Sequence, residues 1–253
     1  MADERTSAGD PARTLQLLWR EPAAVPRRGP RQGLTVDAVV EAATSLADTS
    51  GLEALTMRKV ASALGVVAMT LYTYVPGKAE LLDLMLDAAY GRMSRTSTEG
   101  RPWRERVTAV AAENRRLFET HPWAASVSTV RPLLGPGQMG KYEHELAALD
   151  GLGLSDVEVD AALTHLLSFV QAWARSAADS VAAAAESSLS EAEWWAVNAP
   201  LLDRVLDPAV YPLATRVGSA AGAEHGAAYS PEFAYGFGLA RVLDGLAALV
   251  ERA

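Results

Sequence analysis

The chain has 253 residues, a formal net charge of −8 and no cysteine. That length supports one or two domains, and the absence of cysteine excludes disulfides, zinc fingers and thiolate metal sites while fitting a reducing cytoplasm. Met1 to Asp10 is polar, with no apolar stretch ahead of a small-residue cleavage site, and no uninterrupted apolar run approaches bilayer length. Neither a secretory leader nor a membrane insertion is therefore expected.

The acidic balance argues against nucleic acid only on average. Residues 1–92 carry 10 Lys+Arg against 11 Asp+Glu, so almost all of the excess lies in the second part of the chain. Residues 1–33 read as a flexible basic arm, broken by Pro11, Pro22, Pro26 and Pro30 and ending in Arg27, Arg28 and Arg31. From Thr35, a candidate N-cap, the positions Val36, Val39, Val40, Ala43, Leu46 and Ala47 recur at helical spacing until Gly51. Thr56 caps a short helix carrying Val60, Ala61 and Leu64. After Gly65 comes a second short helix around Ala68–Tyr74, then the breaker Pro76-Gly77 and a longer helix over about 77–94. Beyond Pro102 helices are predicted near 102–120, 136–150, 155–185, 190–206 and 231–252, with mobile connections that include the Ala/Gly-rich stretch 218–228. No strand alternation persists, so the fold class is all-α.

Residues 56–75 carry the function. Two helices crossing steeply need a small residue where their backbones approach, which Ala61 supplies, and a turn that tolerates positive φ, which Gly65 supplies. Val60, Leu64, Val66 and Leu71 then face inward against the first helix. Ala68, Met69, Thr70, Tyr72, Thr73 and Tyr74 are left for the outer surface of the second helix. Hydroxyls that bond base edges or phosphates, beside a methyl that touches thymine, suit the major groove. The alternative is an ordinary helical hairpin in a core, which leaves Thr70 and Tyr72 without a role.

On Gly51-Leu-Glu-Ala-Leu-Thr56, Arg58-Lys59, Leu64-Gly65-Val66, Thr70-Leu71-Tyr72 and Pro76-Gly77-Lys78, residues 34–93 resemble the DNA-binding domain of the tetracycline repressor (TetR) family. The resemblance implies that Arg58 reaches DNA from the second helix, that Thr70 and Tyr72 touch backbone and bases, and that Lys78 holds a phosphate. It also implies that the helix beginning at Lys78 links head to body. Ala68-Met69 and Thr73-Tyr74 depart from the tetracycline repressor itself, so an operator sequence does not carry over. Arg27, Arg28 and Arg31 are candidates for the adjacent minor groove, with a solvated linker as the alternative.

Residues 34–94 are thus assigned to a three-helix helix-turn-helix DNA-binding domain and 95–253 to a helical ligand-binding and dimerisation domain. One recognition helix reads few base pairs, so a homodimer spanning two half-sites of double-stranded operator DNA is expected. Its candidate surfaces are the 155–185 helix, through Leu163, Leu166, Leu167, Val170 and Ala174, and the final helix, through Phe237, Leu239 and Leu243. Trp103, His121, Trp123, Met139, Tyr142, His165, Phe169 and Trp173 are candidates to line a pocket for a small apolar or aromatic inducer. The stretches His121-Pro-Trp123, Arg131-Pro-Leu-Leu-Gly135 and Leu149-Asp-Gly-Leu-Gly-Leu154 resemble the C-terminal ligand domain of TetR-like proteins from actinobacteria. There is no phosphate-binding glycine loop, Gly-x-Ser-x-Gly elbow or His-Glu-x-x-His helix, so neither an enzyme nor a cofactor is expected. Glu143-His144-Glu145 reads as a solvated face. The expected protein is a cytoplasmic, ligand-released repressor, with an activator of the same fold, or more remotely a helical enzyme acting on small molecules, as alternatives.

Overall fold

The computed structural model describes residues 9–21, 34–127, 129 and 131–252, and every regular element among them is helical. The head comprises α1 (Pro11–Leu18), α2 (Val36–Ala54), α3 (Met57–Ala63), α4 (Ala68–Tyr72) and α5 (Lys78–Gly91). The body comprises α6 (Trp103–Thr120), α7 (Pro122–Ser126), α8 (Pro136–Ala147), α9 (Asp156–Ser187), α10 (Glu191–Val205), α11 (Pro212–His225) and α12 (Pro231–Val250).

Local chemistry sets the helix ends. Thr35 Oγ1 accepts the Ala38 amide at 3.0 Å, Thr56 Oγ1 accepts that of Lys59 at 3.2 Å, and Ser155 and Ser190 open α9 and α10 with reciprocal capping boxes to Glu158 and Glu193. Gly51 takes φ +75°, kinking α2 where the sequence predicts its end.

Packing then joins the two parts. One core runs from Leu17, Val39, Leu71 and Met85 in the head to Leu117, Trp123 and Val127 in the body, so burial continues across residue 94. A second core unites α6, α9 and α12 through Val107, Val110, Leu163, Leu166, Val170, Val242 and Leu246. Each such side chain, once fully buried, contributes roughly 1.5–3 kcal/mol.

Three elements differ from expectation. The 1–33 arm is not flexible throughout: Asp10 caps α1, and Leu17 and Leu18 are buried in the head core. Within that arm Arg27, Arg28 and Arg31 lie outside the described residues. Residues 212–225 form α11 rather than a mobile connection, and α7 adds a short helix at Pro122. Helix α12, 20 residues long with a mean hydropathy of 1.4 in its most apolar window, meets the length and composition of a membrane span. Leu239, Val242 and Leu246 nonetheless seat it in the second core.

Candidate functional site

The turn between α3 and α4 has the geometry its sequence requires. Gly65 sits at φ +66°, Val66 donates to the Ala61 carbonyl at 2.9 Å, and Ala61 is buried where the helices meet. Val60 and Leu71 are fully buried, with Leu64 and Val66 packed partly against them. The outward side of α4 presents Met69 at 76% and Tyr72 at 46% exposure, while Thr73 is exposed and donates its hydroxyl to the Thr70 carbonyl. Thr70 and Ala68 are half-buried at the edge of this surface, and Arg58 and Lys59 extend it from α3. Lys78 donates to the Leu52 carbonyl at 3.4 Å, which holds its ammonium at the junction of α2 and α5. Tyr74 does not belong to the DNA-facing set. It is 1% exposed, because the chain turns after Tyr72 and directs residue 74 into the head core.

The body holds a partly open cavity of about 800 Å³ lined by α5, α6, α8 and α9 and the segment before α8. Of the residues expected there, Met139 and Tyr142 line it. The other six do not: five are committed elsewhere and His165 faces away. Trp123 and His121 both bond Asp48 of α2, at 2.7 and 2.8 Å. Trp173 donates to the Pro231 carbonyl and packs on Tyr235, Phe169 stacks on Tyr235, and Trp103 packs into the second core. His165 is exposed on α9 and lies outside the wall.

Charge supplies the floor that aromatic counting misses. Lys141 Nζ lies 2.7 Å from Glu145 Oε1 and 2.8 Å from Oε2, with its ammonium 5.2 Å from the Tyr90 ring centroid. Glu145 Oε1 also accepts from Asn114 Nδ2 at 2.6 Å, and all four of these residues line the cavity. Burial pushes the Lys141 ammonium below its usual range, the nearby Glu145 carboxylate opposing it, and pushes the Tyr90 hydroxyl up. The Glu143-His144-Glu145 face is therefore not simply solvated: Glu145 is 1% exposed and His144 Nε2 lies 2.8 Å from Glu113 Oε2. The i,i+4 spacing of Lys141 and Glu145 is the signal in the sequence for this pair. Along α9 the wall continues through Asp160, which accepts the Tyr142 hydroxyl at 2.6 Å, then Leu163, Thr164, Leu167, Ser168, Gln171 and Arg175.

Head and cavity meet at α5 and α8. Asp87 accepts the amides of Gly137 at 3.2 Å and Gln138 at 2.9 Å, and Gln138 lines the cavity. Burial raises the Asp87 carboxyl above the usual range, opposed by those two amides. A Cβ on Gly137 would stand 1.9 Å from the Asp87 carbonyl oxygen, so only glycine permits this approach.

An exposed short helix in a helix-turn-helix head, carried on a helical body with a cavity, defines a DNA-binding transcriptional regulator with a ligand-domain fold. Residues 39–85 match the model for bacterial regulatory proteins of the tetR family, and residues 96–250 match the tetracyclin repressor-like C-terminal domain. The chain belongs to the TetR family. It is 41% identical over 249 residues to the HTH-type transcriptional repressor DrrR1 of Streptomyces coeruleorubidus, covering 98% of this chain and 89% of that one. Among solved structures, Streptomyces coelicolor ActR in complex with actinorhodin superposes with a TM-score of 0.71 at 26% identity, covering 86% of this chain and 97% of the other. BioQ with its double-stranded DNA operator gives a TM-score of 0.50 at 28% identity over 56% of this chain and 85% of that chain.

Proposed function

We propose that this protein is a transcriptional repressor that binds a palindromic operator as a homodimer and leaves it when a small aromatic molecule fills the body cavity. The observation that carries the reading is the shared α5–α8 contact. The helix that supports the DNA-facing surface bonds through Asp87 to Gln138, which belongs to the cavity wall. A ligand drives release by favouring an arrangement in which the two heads are misplaced for DNA. Arg58, Met69, Thr70, Tyr72 and Thr73 form the groove-facing set with Ala68 at its edge, and Lys78 holds a phosphate beside it. Repression follows the similarity to DrrR1.

The cavity refines the ligand. Asn114, Gln138, Thr164, Ser168 and Gln171 stand among Phe118, Leu163 and Leu167 in its wall. An incoming molecule must replace hydrogen bonds that water would otherwise make there, so the inducer is an aromatic compound bearing several oxygen functions. ActR, of similar fold, has been solved with actinorhodin.

The dimer surface is proposed to keep the exposed face of the final helix and to extend it with α10 and α11. Leu163, Leu166, Val170 and Ala174 are buried within the monomer, whereas α10 buries no residue and α11 only Gly222. Val197, Leu201, Leu202, Val205, Leu213 and Val217 are exposed there, and Phe233 and Phe237 are exposed on α12. Apolar surface on this scale marks a protein interface, and a second copy brings the two heads to half-sites roughly 34–36 Å apart.

The test is fluorescence anisotropy with a duplex from the DNA beside the gene, titrated with and without oxygenated aromatic compounds. The reading requires that ligand weaken operator binding and operator weaken ligand binding by the same factor. Absence of duplex binding at low salt, or independent binding of the two, overturns it. Arg27, Arg28 and Arg31 complete the proposal as a minor-groove arm. Because deletion of the arm would also remove α1, triple alanine substitution is the cleaner probe. It is expected to flatten the dependence of log K on log salt by about 0.9 for each phosphate that is no longer neutralised.

A further inference from the structure

Helix α7 links the cavity wall to the head by a route that bypasses α5. At its C-terminal end the last carbonyls have no partner within so short a helix. They are taken by α9: Gln171 Nε2 donates to the carbonyls of Ala125 at 3.1 Å and Val127 at 3.2 Å, and Arg175 Nε donates to Ala125 as well. Both donors line the cavity. At the N-terminal end, Trp123 Nε1 donates to Asp48 Oδ1 at 2.7 Å and His121 Nδ1 lies 2.8 Å from the same oxygen. Between these ends Trp123, Ala124 and Ala125 are buried, at 4%, 1% and 1% exposure, so the helix has no room to adjust one end without moving the other. Asp48 belongs to α2, against which the α3–α4 unit packs.

The two junctions between head and body differ in kind. The α5–α8 junction is backbone against backbone and admits no Cβ at Gly137. On the α2–α7 side the polar contacts converge on a single carboxylate oxygen.

We propose that Asp48 is a positioning residue, a latch that ties the orientation of the DNA-binding head to the hydrogen bonds Gln171 and Arg175 make in the cavity wall. A ligand oxygen that draws the Gln171 amide or the Arg175 guanidinium away from Ala125 and Val127 frees α7, and α7 then releases Asp48. The purpose of the latch rests on the ligand-release reading, but its existence is testable without ligand or operator.

The experiment is amide hydrogen exchange on the full-length protein, comparing wild type, Asp48→Asn, the wall variant Gln171→Leu/Arg175→Met, and all three substitutions combined. The wall variant is expected to accelerate exchange in the second half of α2 by about fivefold, the worth of a typical hydrogen bond, with α10 unchanged. In the Asp48→Asn background the same wall substitutions are expected to add less than about twofold, because the route is already cut. Full additivity, or no change in α2, overturns the latch. If the wall variant loosens α7 as a whole, Trp123→Phe, which keeps an aromatic ring and removes the donor, serves in its place. It must accelerate α2 exchange in the wild-type background and not in Asp48→Asn. Operator binding that fails while this coupling holds would count against the proposed function and leave the latch standing.

Discussion

Helices α5 and α10 are almost equal in length, 14 and 15 residues, yet α5 buries ten of its residues and α10 none. Both are apolar: Leu81, Leu82, Leu84 and Leu86 on one, Val197, Leu201, Leu202 and Val205 on the other. The difference lies in what surrounds them. Helix α5 is enclosed by α1, α2 and α8 of its own chain, whereas the apolar side chains of α10 are left uncovered. A helix of the first kind is held by its own chain, and one of the second kind leaves an apolar surface of the sort that protein interfaces use. The head is thus packed within its own chain, whereas α10 and α11 keep most of their apolar side chains exposed.

Substitutions sharpen this contrast, and the largest effect belongs to the head core. Leu71→Ala removes a fully buried side chain beneath α4 and is expected to cost roughly 2–5 kcal/mol in chemical denaturation. Leu202→Ala, 43% exposed on α10, is expected to change monomer stability by no more than about 0.5 kcal/mol. In sedimentation, Leu201→Asp with Leu202→Asp is expected to raise the dimer dissociation constant by at least about tenfold, as for charges placed in a central apolar contact. An unchanged dimer would place the interface elsewhere.

Glycines give the next effect, with opposite signs at the two ends. Gly137→Ala drives a methyl into the Asp87 backbone and is expected to cost about 1–3 kcal/mol in thermal unfolding. Gly218→Ala, in α11 with nothing within 4 Å of the added carbon, is expected to gain about 0.4–1 kcal/mol by restricting the unfolded chain. Equal effects at the two positions would remove the distinction between a packed junction and a free arm.

The same division governs what the sequence reveals. Thr35, Thr56 and Gly65 act over three residues, on Ala38, Lys59 and the Ser62 carbonyl, so the helix-turn-helix is legible as spacing. Cavity residues are joined across long separations. Asn114 meets Glu145 at a separation of 31, and Gln171 finds the Ala125 carbonyl at a separation of 46. Aromatic type marks Trp173 and Phe169 as large and apolar but does not say that Tyr235 is their neighbour. Helix α1 is hidden for another reason: the prolines on either side of it read as a breaker-rich arm, although Asp10-Pro11 is itself a helix start, with its cap followed by proline at the first position.

Tyr72 and Tyr74, two residues apart, set the finest comparison. Tyr72 is 46% exposed on α4, and Tyr72→Ala is expected to weaken operator binding by about 1–2 kcal/mol, read by anisotropy, with little change in unfolding. Tyr74 is 1% exposed and its buried hydroxyl has no hydrogen-bond partner among the described residues. An unpartnered buried hydroxyl costs free energy, and removing it while keeping the ring leaves the packing intact. Tyr74→Phe is therefore expected to leave operator affinity unchanged and to raise stability by up to about 1 kcal/mol. A loss of operator affinity in Tyr74→Phe would mean that this hydroxyl turns outward on DNA, returning Tyr74 to the groove-facing set and moving the head's boundary between core and contact by two residues.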